Sequence, residues 1–276
     1  MNTEIKNTPI PTFEFKKDTE TAVICAIVKE EQLYIEEWIE YHIRLGFAHI
    51  YIYDNDETVP MDYLVRKYPL FVTVLPFPGK CQQMNAYNDF IRQFRNQHHW
   101  VAYIDVDEFI VLKKHNTIIE LLKTYCHQGA LALNWVLFGS NHHQYYQSRP
   151  VLERFTRRQI GVNQHIKWIA RTDDIENMVS PHHGNLRCGF AVDCHGTQTD
   201  GPFNTNGTDD IACIHHYFTK SKEEFMKKCL RGRADIHETR NFENDFSGHD
   251  SNDIEDMSAW NFFIEKGGLG GLGGSK

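Results

Sequence analysis

The sequence predicts an α/β fold with a mostly parallel central sheet flanked by helices, followed by a loop-rich half. Three observations predict it. Apolar runs rich in β-branched residues recur at 21–28, 48–53, 71–76 and 100–104. Such runs mark strands buried on both faces, the habit of parallel sheets. Helical patterns at 31–45, 60–68 and 83–95 separate these runs, and strands alternating with helices are the signature of βαβ units. From Gly139 to about Asp210 that regularity fails, and short polar, aromatic and histidine-rich pieces take over.

Each element has its own justification. Residues 1–20 are polar with two prolines and read as a lead-in arm. Thr21 to Val28 form the first strand, ended by Lys29-Glu30-Glu31. Within 31–45, Leu33, Tyr34, Trp38, Tyr41 and Leu45 share one helical side, and Gly46 closes the helix as a C′ residue. The second strand, 48–53, stops at Asp54-Asn55-Asp56-Glu57, and the fourth runs from Trp100 to Ile104 directly into Asp105-Val106-Asp107-Glu108. A helix at 117–127 and a strand at 129–138 follow, then a strand from Cys213 to Phe218. Ser221 opens a helix with Glu224 three residues on, a capping-box spacing. A last helix is expected at 254–265, before a Gly-rich tail at 267–276. The expected organisation is therefore an arm (1–20), an α/β half (21–128), a second half packed on it (129–266) and the tail.

Composition excludes several classes. With 41% hydrophobic and 24% charged residues, disordered, collagen-like and mucin-like readings fail. A net charge of −8 disfavours general nucleic-acid binding while leaving room for a local basic cleft. Seven scattered cysteines without a CxxC support neither a disulfide scaffold nor a four-cysteine zinc site. No stretch approaches the roughly 18 apolar residues of a membrane span, and the N-terminus lacks the apolar core of a secretory signal. The expected location is cytoplasmic or peripheral to the inner face of the membrane. GxGxxG occurs once, inside the Gly-rich tail and after no strand, while GxxxxGK[ST], GxSxG and HExxH are absent.

The chemistry-bearing residues cluster after strands, where open α/β sheets bind ligands. If strand geometry persists through Asp105-Val106-Asp107, both aspartates face one side and suit a hard divalent cation, Mg²⁺ or Mn²⁺. The alternative is an acidic turn paired with Arg or Lys. Asp54-Asn55-Asp56 reads either as an Asx turn or as a carboxylate for a base imide or ribose hydroxyl. His215 and His216, if extended, point to opposite faces, so one of them at most completes a site with the carboxylates. The basic cluster Arg149, Arg154, Arg157 and Arg158, with Lys167 and Arg171 beyond it, faces an anionic ligand or solvent.

An ordered set of segments resembles the family-92 (DUF23-type) glycosyltransferases and related glycosyltransferase-2-like proteins. It begins with Cys25-Ala-Ile-Val-Lys-Glu-Glu31, Tyr34-Ile-Glu-Glu-Trp38 and Tyr53-Asp-Asn55. It continues through Gln83, Ala86-Tyr87-Asn88-Asp89 and Trp100-Val-Ala-Tyr-Ile-Asp-Val-Asp-Glu-Phe109. It ends with Trp135, Phe138-Gly-Ser140, Lys167, His216-Tyr217-Phe-Thr-Lys-Ser221 and Lys228…Arg231-Gly232. Two departures stand out: Lys29-Glu30-Glu31 replaces the family's Lys-Asn-Glu, and His215-His216-Tyr217 its Asn-His-Tyr.

The resemblance implies a GT-A fold, with a nucleotide-sugar-binding half at 21–128 and an acceptor-binding, metal-completing half at 129–266. It implies an inverting transferase using Mn²⁺ or Mg²⁺ that moves a hexose, galactose favoured, from a UDP-sugar to a glycan or lipid-linked saccharide in polysaccharide biosynthesis. On that model Asp54 and Glu31 contact the nucleotide, and Lys167 or Lys220 the phosphates. Asp105, Asp107 and His216 hold the metal, Asp105 alternatively the ribose. Trp135 and Phe138 stack on an acceptor sugar or belong to the core. Glu153, Asp173, Asp174, Asp209 and Asp210 are the candidates for the catalytic base. The other readings are a non-catalytic carbohydrate-binding or scaffold protein and a nucleotide-sugar hydrolase.

Overall fold

The structure is a computed structural model describing residues 20–125 and 127–268. The arm and most of the Gly-rich tail lie outside the described residues. β1 (Ala22–Val28) is buried from end to end. Its alternate residues feed two apolar clusters: Ala22, Ile24, Ala26 and Val28 one, Val23, Cys25 and Ile27 the other. A strand can bury both faces only if helices cover both. α1 (Ile35–Leu45) covers the first with Trp38 and Ile39, and it ends at Gly46, whose φ of 104° is left-handed. After β2 (His49–Asp54), α2 (Tyr63–Lys67) and β3 (Val72–Pro76), α3 (Gln83–Phe94) covers the second face with Tyr87, Phe90 and Phe94. With β4 (Trp100–Tyr103) the order β3-β2-β1-β4 is parallel throughout, as predicted.

Beyond β4 the sheet is mixed, which corrects the expectation of a mostly parallel one. The chain turns after β4 into β5 (Glu108–Leu112), α4 (Ile118–Lys123) and β6 (Ala130–Leu137). The stretch read as irregular holds α5 (Val151–Arg154), β7 (Arg157–Arg158), β8 (Ile166–Arg171), β9 (Ile175–Met178), β10 (Gly184–Leu186), β11 (Ala191–Val192) and β12 (Gln198–Thr199). β8 lies antiparallel between β4 and β6. Its approach from β6 runs through one four-residue helix and β7, and it brings the chain back antiparallel to β6.

β13 (Ala212–His216) then pairs parallel with the end of β6 and antiparallel with β5, setting His216 opposite Glu108. α6 (Lys222–Arg231) opens with the expected capping box, both Ser221 and Glu224 bonds being made. α7 (Phe242–His249), β14 (Ile254–Glu255) and α8 (Ser258–Glu265) complete the described chain. The six described cysteines are all free. Among the described residues, no helix is long and apolar enough to cross a membrane.

Candidate active site

A cleft of about 400 Å³ opens where the parallel strands end, between the β4–β5 turn, the end of β6 and the segment after α6. That is where an α/β sheet offers ligands its strand ends. Asp105 and Asp107 both line it, but the pleat does not persist through them. β4 stops at Tyr103, and the turn closes with the Glu108 N–H donating to the Asp105 carbonyl at 3.0 Å. The two carboxylates therefore diverge, each to its own lysine.

Asp105 accepts from Gln83 Nε2 at 2.9 Å and from Lys167 Nζ at 2.9 Å. Lys167 comes from the start of β8, is 1% exposed, and also lies 3.3 Å from Glu108, which is wholly buried. Burial works against the Lys167 charge, yet Asp105 and Glu108 together raise its pKa above the ordinary lysine value. Burial pushes the Glu108 carboxyl well up, with Lys167 opposing.

Asp107 sits on the far side of the turn. Lys228 Nζ, from α6, donates to its Oδ2 at 2.5 Å and to the Phe218 carbonyl at 3.0 Å. His216 Nε2 is 3.6 Å from the other oxygen. Burial opposes the Asp107 charge, but Lys228 and then His216 hold its pKa well below the ordinary aspartate range. Burial lowers Lys228 to about 8 and His216 to about 4, so the imidazole is neutral. His215 points the other way, its Nε2 3.8 Å from Asp256 and its ring against Phe138. The opposite-face expectation for this pair is met, and His216 is the one in the cleft.

A resident divalent ion does not fit these partners. Mg²⁺ and Mn²⁺ at phosphate sites draw on one or two carboxylates beside the substrate's own oxygens, and here Asp105 and Asp107 are each already held by a lysine ammonium. Asp107 and His216 supply one donor each, while the second Asp107 oxygen is taken by an ammonium. A divalent ion on the first oxygen would stand on the order of 5 Å from that ammonium, a repulsion of about 7 kcal/mol at an effective dielectric of about 20.

The remaining walls are aromatic and cationic. Trp135, at the end of β6, stacks on His165 at 4.8 Å between ring centres and meets His216 at 4.2 Å and His182 at 5.1 Å. His182 donates from Nδ1 to the Ile166 carbonyl at 2.8 Å, which leaves Nε2 bare. Burial, with the Lys167 charge acting the same way, lowers its pKa to about 3. Glu31 lies beside Arg231, with Oε1 2.5 Å from the guanidinium and Oε2 buried without a partner.

Several candidates stand elsewhere. Asp54 turns both oxygens into its own loop, accepting from the Asp56 and Met61 N–H groups. It caps an Asx turn instead of facing the cleft, and Asn55 takes the lining position. Lys220 is buried over the Tyr34 ring at 4.6 Å and does not line the cleft. Phe138 is wholly buried against His215 and Tyr217, a core residue. None of the five candidate bases lines the cleft. Glu153 pairs with Arg149, Asp173 with Arg171, Asp209 with Arg158 and Asp210 with His195, while Asp174 accepts from the Cys188 N–H.

Sequence reasoning assigned no role to Gln83, His182, Lys228 or Arg231. Three of them stand in quoted segments, but only tertiary contact tells which carboxylate each one meets. His182 carried one signal, its place in a His-His pair.

A model of glycosyltransferase family 92 matches residues 21–255. The chain belongs to glycosyltransferase family 92. Curated family-92 members are similar along most of it. A Ricinus communis protein is 26% identical over 220 residues, covering 75% of this chain and 37% of its own. An Oryza sativa subsp. japonica protein is 24% identical over 194 residues, covering 66% and 33%. The chain thus spans about a third of the length of these family-92 relatives. Among solved structures, S. aureus TarS 1–349 aligns with 56% of this chain and 47% of its own at a TM-score of 0.37 and 18% identity.

Proposed function

We propose that this family-92 chain transfers a hexose from a UDP-sugar to a hydroxyl of a glycan or lipid-linked saccharide, by direct displacement with inversion, on a GT-A type scaffold. Galactose, the sugar that the resemblance favours, is the first to test. The observation that carries the reading is the convergence of Asp105, Lys167, Asp107, His216 and Lys228 on one cleft at the strand ends. In this reading residues 21–128 bind the donor and 129–266 the acceptor, with Trp135 offering its ring to the acceptor sugar.

The acceptor oxygen attacks the anomeric carbon, the bond from that carbon to the diphosphate oxygen breaks, and the electron pair leaves with the diphosphate. The cationic wall stabilises that charge as it develops. The acceptor proton goes to His182 Nε2, which the Ile166 carbonyl holds in the accepting tautomer. Burial is the larger cause of the low His182 pKa and the Lys167 charge the smaller, and the negative charge of a bound diphosphate acts against both. Mn²⁺ and Mg²⁺ enter no step, since the residues do not fit a resident ion.

The test is transfer from a panel of radiolabelled UDP-hexoses to mono- and oligosaccharide acceptors, with product linkage read by NMR. Transfer to an acceptor that fails in Asp107→Asn bears the reading out. Release of free sugar alone, whatever the acceptor, would replace it with nucleotide-sugar hydrolysis, and binding of glycan without turnover would favour a carbohydrate-binding role.

A further inference from the structure

We propose that this chain holds the diphosphate of its donor without a divalent metal ion, using Lys228 and the basic segment that follows it as the counter-charge. The proposal rests on the donor reading above and concerns the same cleft.

Charge is the first argument. Although the chain as a whole carries a net charge of −8, seven cationic side chains line the cleft against five carboxylates. Four of the carboxylates are already matched: Asp105 by Lys167, Asp107 by Lys228, Glu31 by Arg231 and Asp235 by Arg233. Among the described residues, Lys29, Lys80 and Arg240 line the cleft with no carboxylate partner, whereas Glu238 is the one lining carboxylate without a cation.

Position is the second argument. Lys228 Nζ occupies the place a metal would take, against an Asp107 oxygen at 2.5 Å and the Phe218 carbonyl at 3.0 Å, with the Phe218 ring 3.9 Å below it. An ammonium has three donors. Two are spent on these oxygens, and one is left for a phosphate. The Arg240 guanidinium holds the chain around it, donating to the Gly232 carbonyl at 2.8 Å and the Lys228 carbonyl at 3.4 Å. Arg231 likewise donates to the Lys29 carbonyl at 2.9 Å, tying α6 to the end of β1. The cations are thus held in place before any ligand arrives, which is what electrostatic stabilisation requires.

The experiment is calorimetric titration of UDP into the whole chain, once with Mn²⁺ and once with EDTA, on the native protein and on Lys228→Met. The expected result is equal affinity in both buffers, weakened by about tenfold to a hundredfold in Lys228→Met, the loss of one charge-assisted contact. With the ammonium gone, Asp107 and His216 are free to share an ion, so Mn²⁺ should restore part of the affinity in the variant alone. UDP binding to the native protein only in Mn²⁺ overturns the proposal and leaves the donor reading standing. No UDP binding in either buffer sinks the donor reading, and this proposal with it. Electron paramagnetic resonance of Mn²⁺ titrated with native protein gives a readout independent of the variant's folding. An unchanged free-ion signal supports the proposal, and its loss on adding protein alone refutes it.

Discussion

Lys167→Met removes one ammonium from a place that is 1% exposed and leaves the carboxylates it joined, Asp105 at 2.9 Å and Glu108 at 3.3 Å, with no cation between them. Methionine fills the stem of the lysine, so the loss is electrostatic and packing is kept. Breaking a buried pair from one side costs about 3–5 kcal/mol. Asp105 keeps 34% of its side-chain surface in water, which favours the lower end, about 3 kcal/mol. In a chain of this size that lowers Tm by about 6–12 °C. Glu108 is wholly buried and its carboxyl is pushed well up, so without Lys167 it takes up a proton, and Glu108→Gln in the Lys167→Met background should unfold close to Lys167→Met alone. Urea unfolding at neutral pH, followed by circular dichroism on the native protein, both single variants and the double variant, measures the coupling directly. If Lys167→Met unfolds at the native midpoint, or if Glu108→Gln deepens the loss, the account of Lys167 as the cation of this turn is wrong.

Burial lowers His42, His98, His182 and His215 to about 3 and His49 and His216 to about 4. The unfolded chain takes up these protons near pH 6.5 and the folded one does not, so this stability is complete above that pH and is lost as pH falls. At about 1.4 kcal/mol per pH unit each, six such groups remove roughly 8 kcal/mol per unit, comparable with a whole domain's 5–15 kcal/mol. Cooperative unfolding within one to two units below about pH 6 is expected, and a Tm that stays level from pH 7 to pH 4.5 would contradict it. His182→Gln should lower kcat by about 10²–10⁴ with UDP affinity unchanged, whereas Glu238→Gln stays near native. The reverse pattern moves the base to Glu238. Trp135→Ala should raise the acceptor KM by about twofold to tenfold, the worth of one aromatic stack, and leave UDP titrations untouched. Equal losses for donor and acceptor would make it a structural residue.

The parallel half was legible because its signals are local. The run from Ala22 to Val28 is apolar on both faces and Gly46 supplies a left-handed stop; outside that half, Ser221 with Glu224 gives a capping box, and each is readable within one segment. β8 was not legible. Its Ile-Lys-Trp-Ile-Ala-Arg carries charged residues at positions two and six, so it lacks the continuous apolar run that betrays a buried strand. The Lys167 charge is tolerated there because Asp105 and Glu108 come to meet it from another strand end.

The sequence by itself determined that an acidic segment follows a buried strand, that at most one histidine of the 215–216 pair can face it, and which family the segments resemble. Only the tertiary structure decided which cations the acids meet. Asp105 and Asp107 are two residues apart, yet their partners, Lys167 and Lys228, lie far along the chain on β8 and α6. A carboxylate's role depends on the charge within a few ångströms of it, and that distance is set by how strands pair and helices pack, which local sequence does not encode.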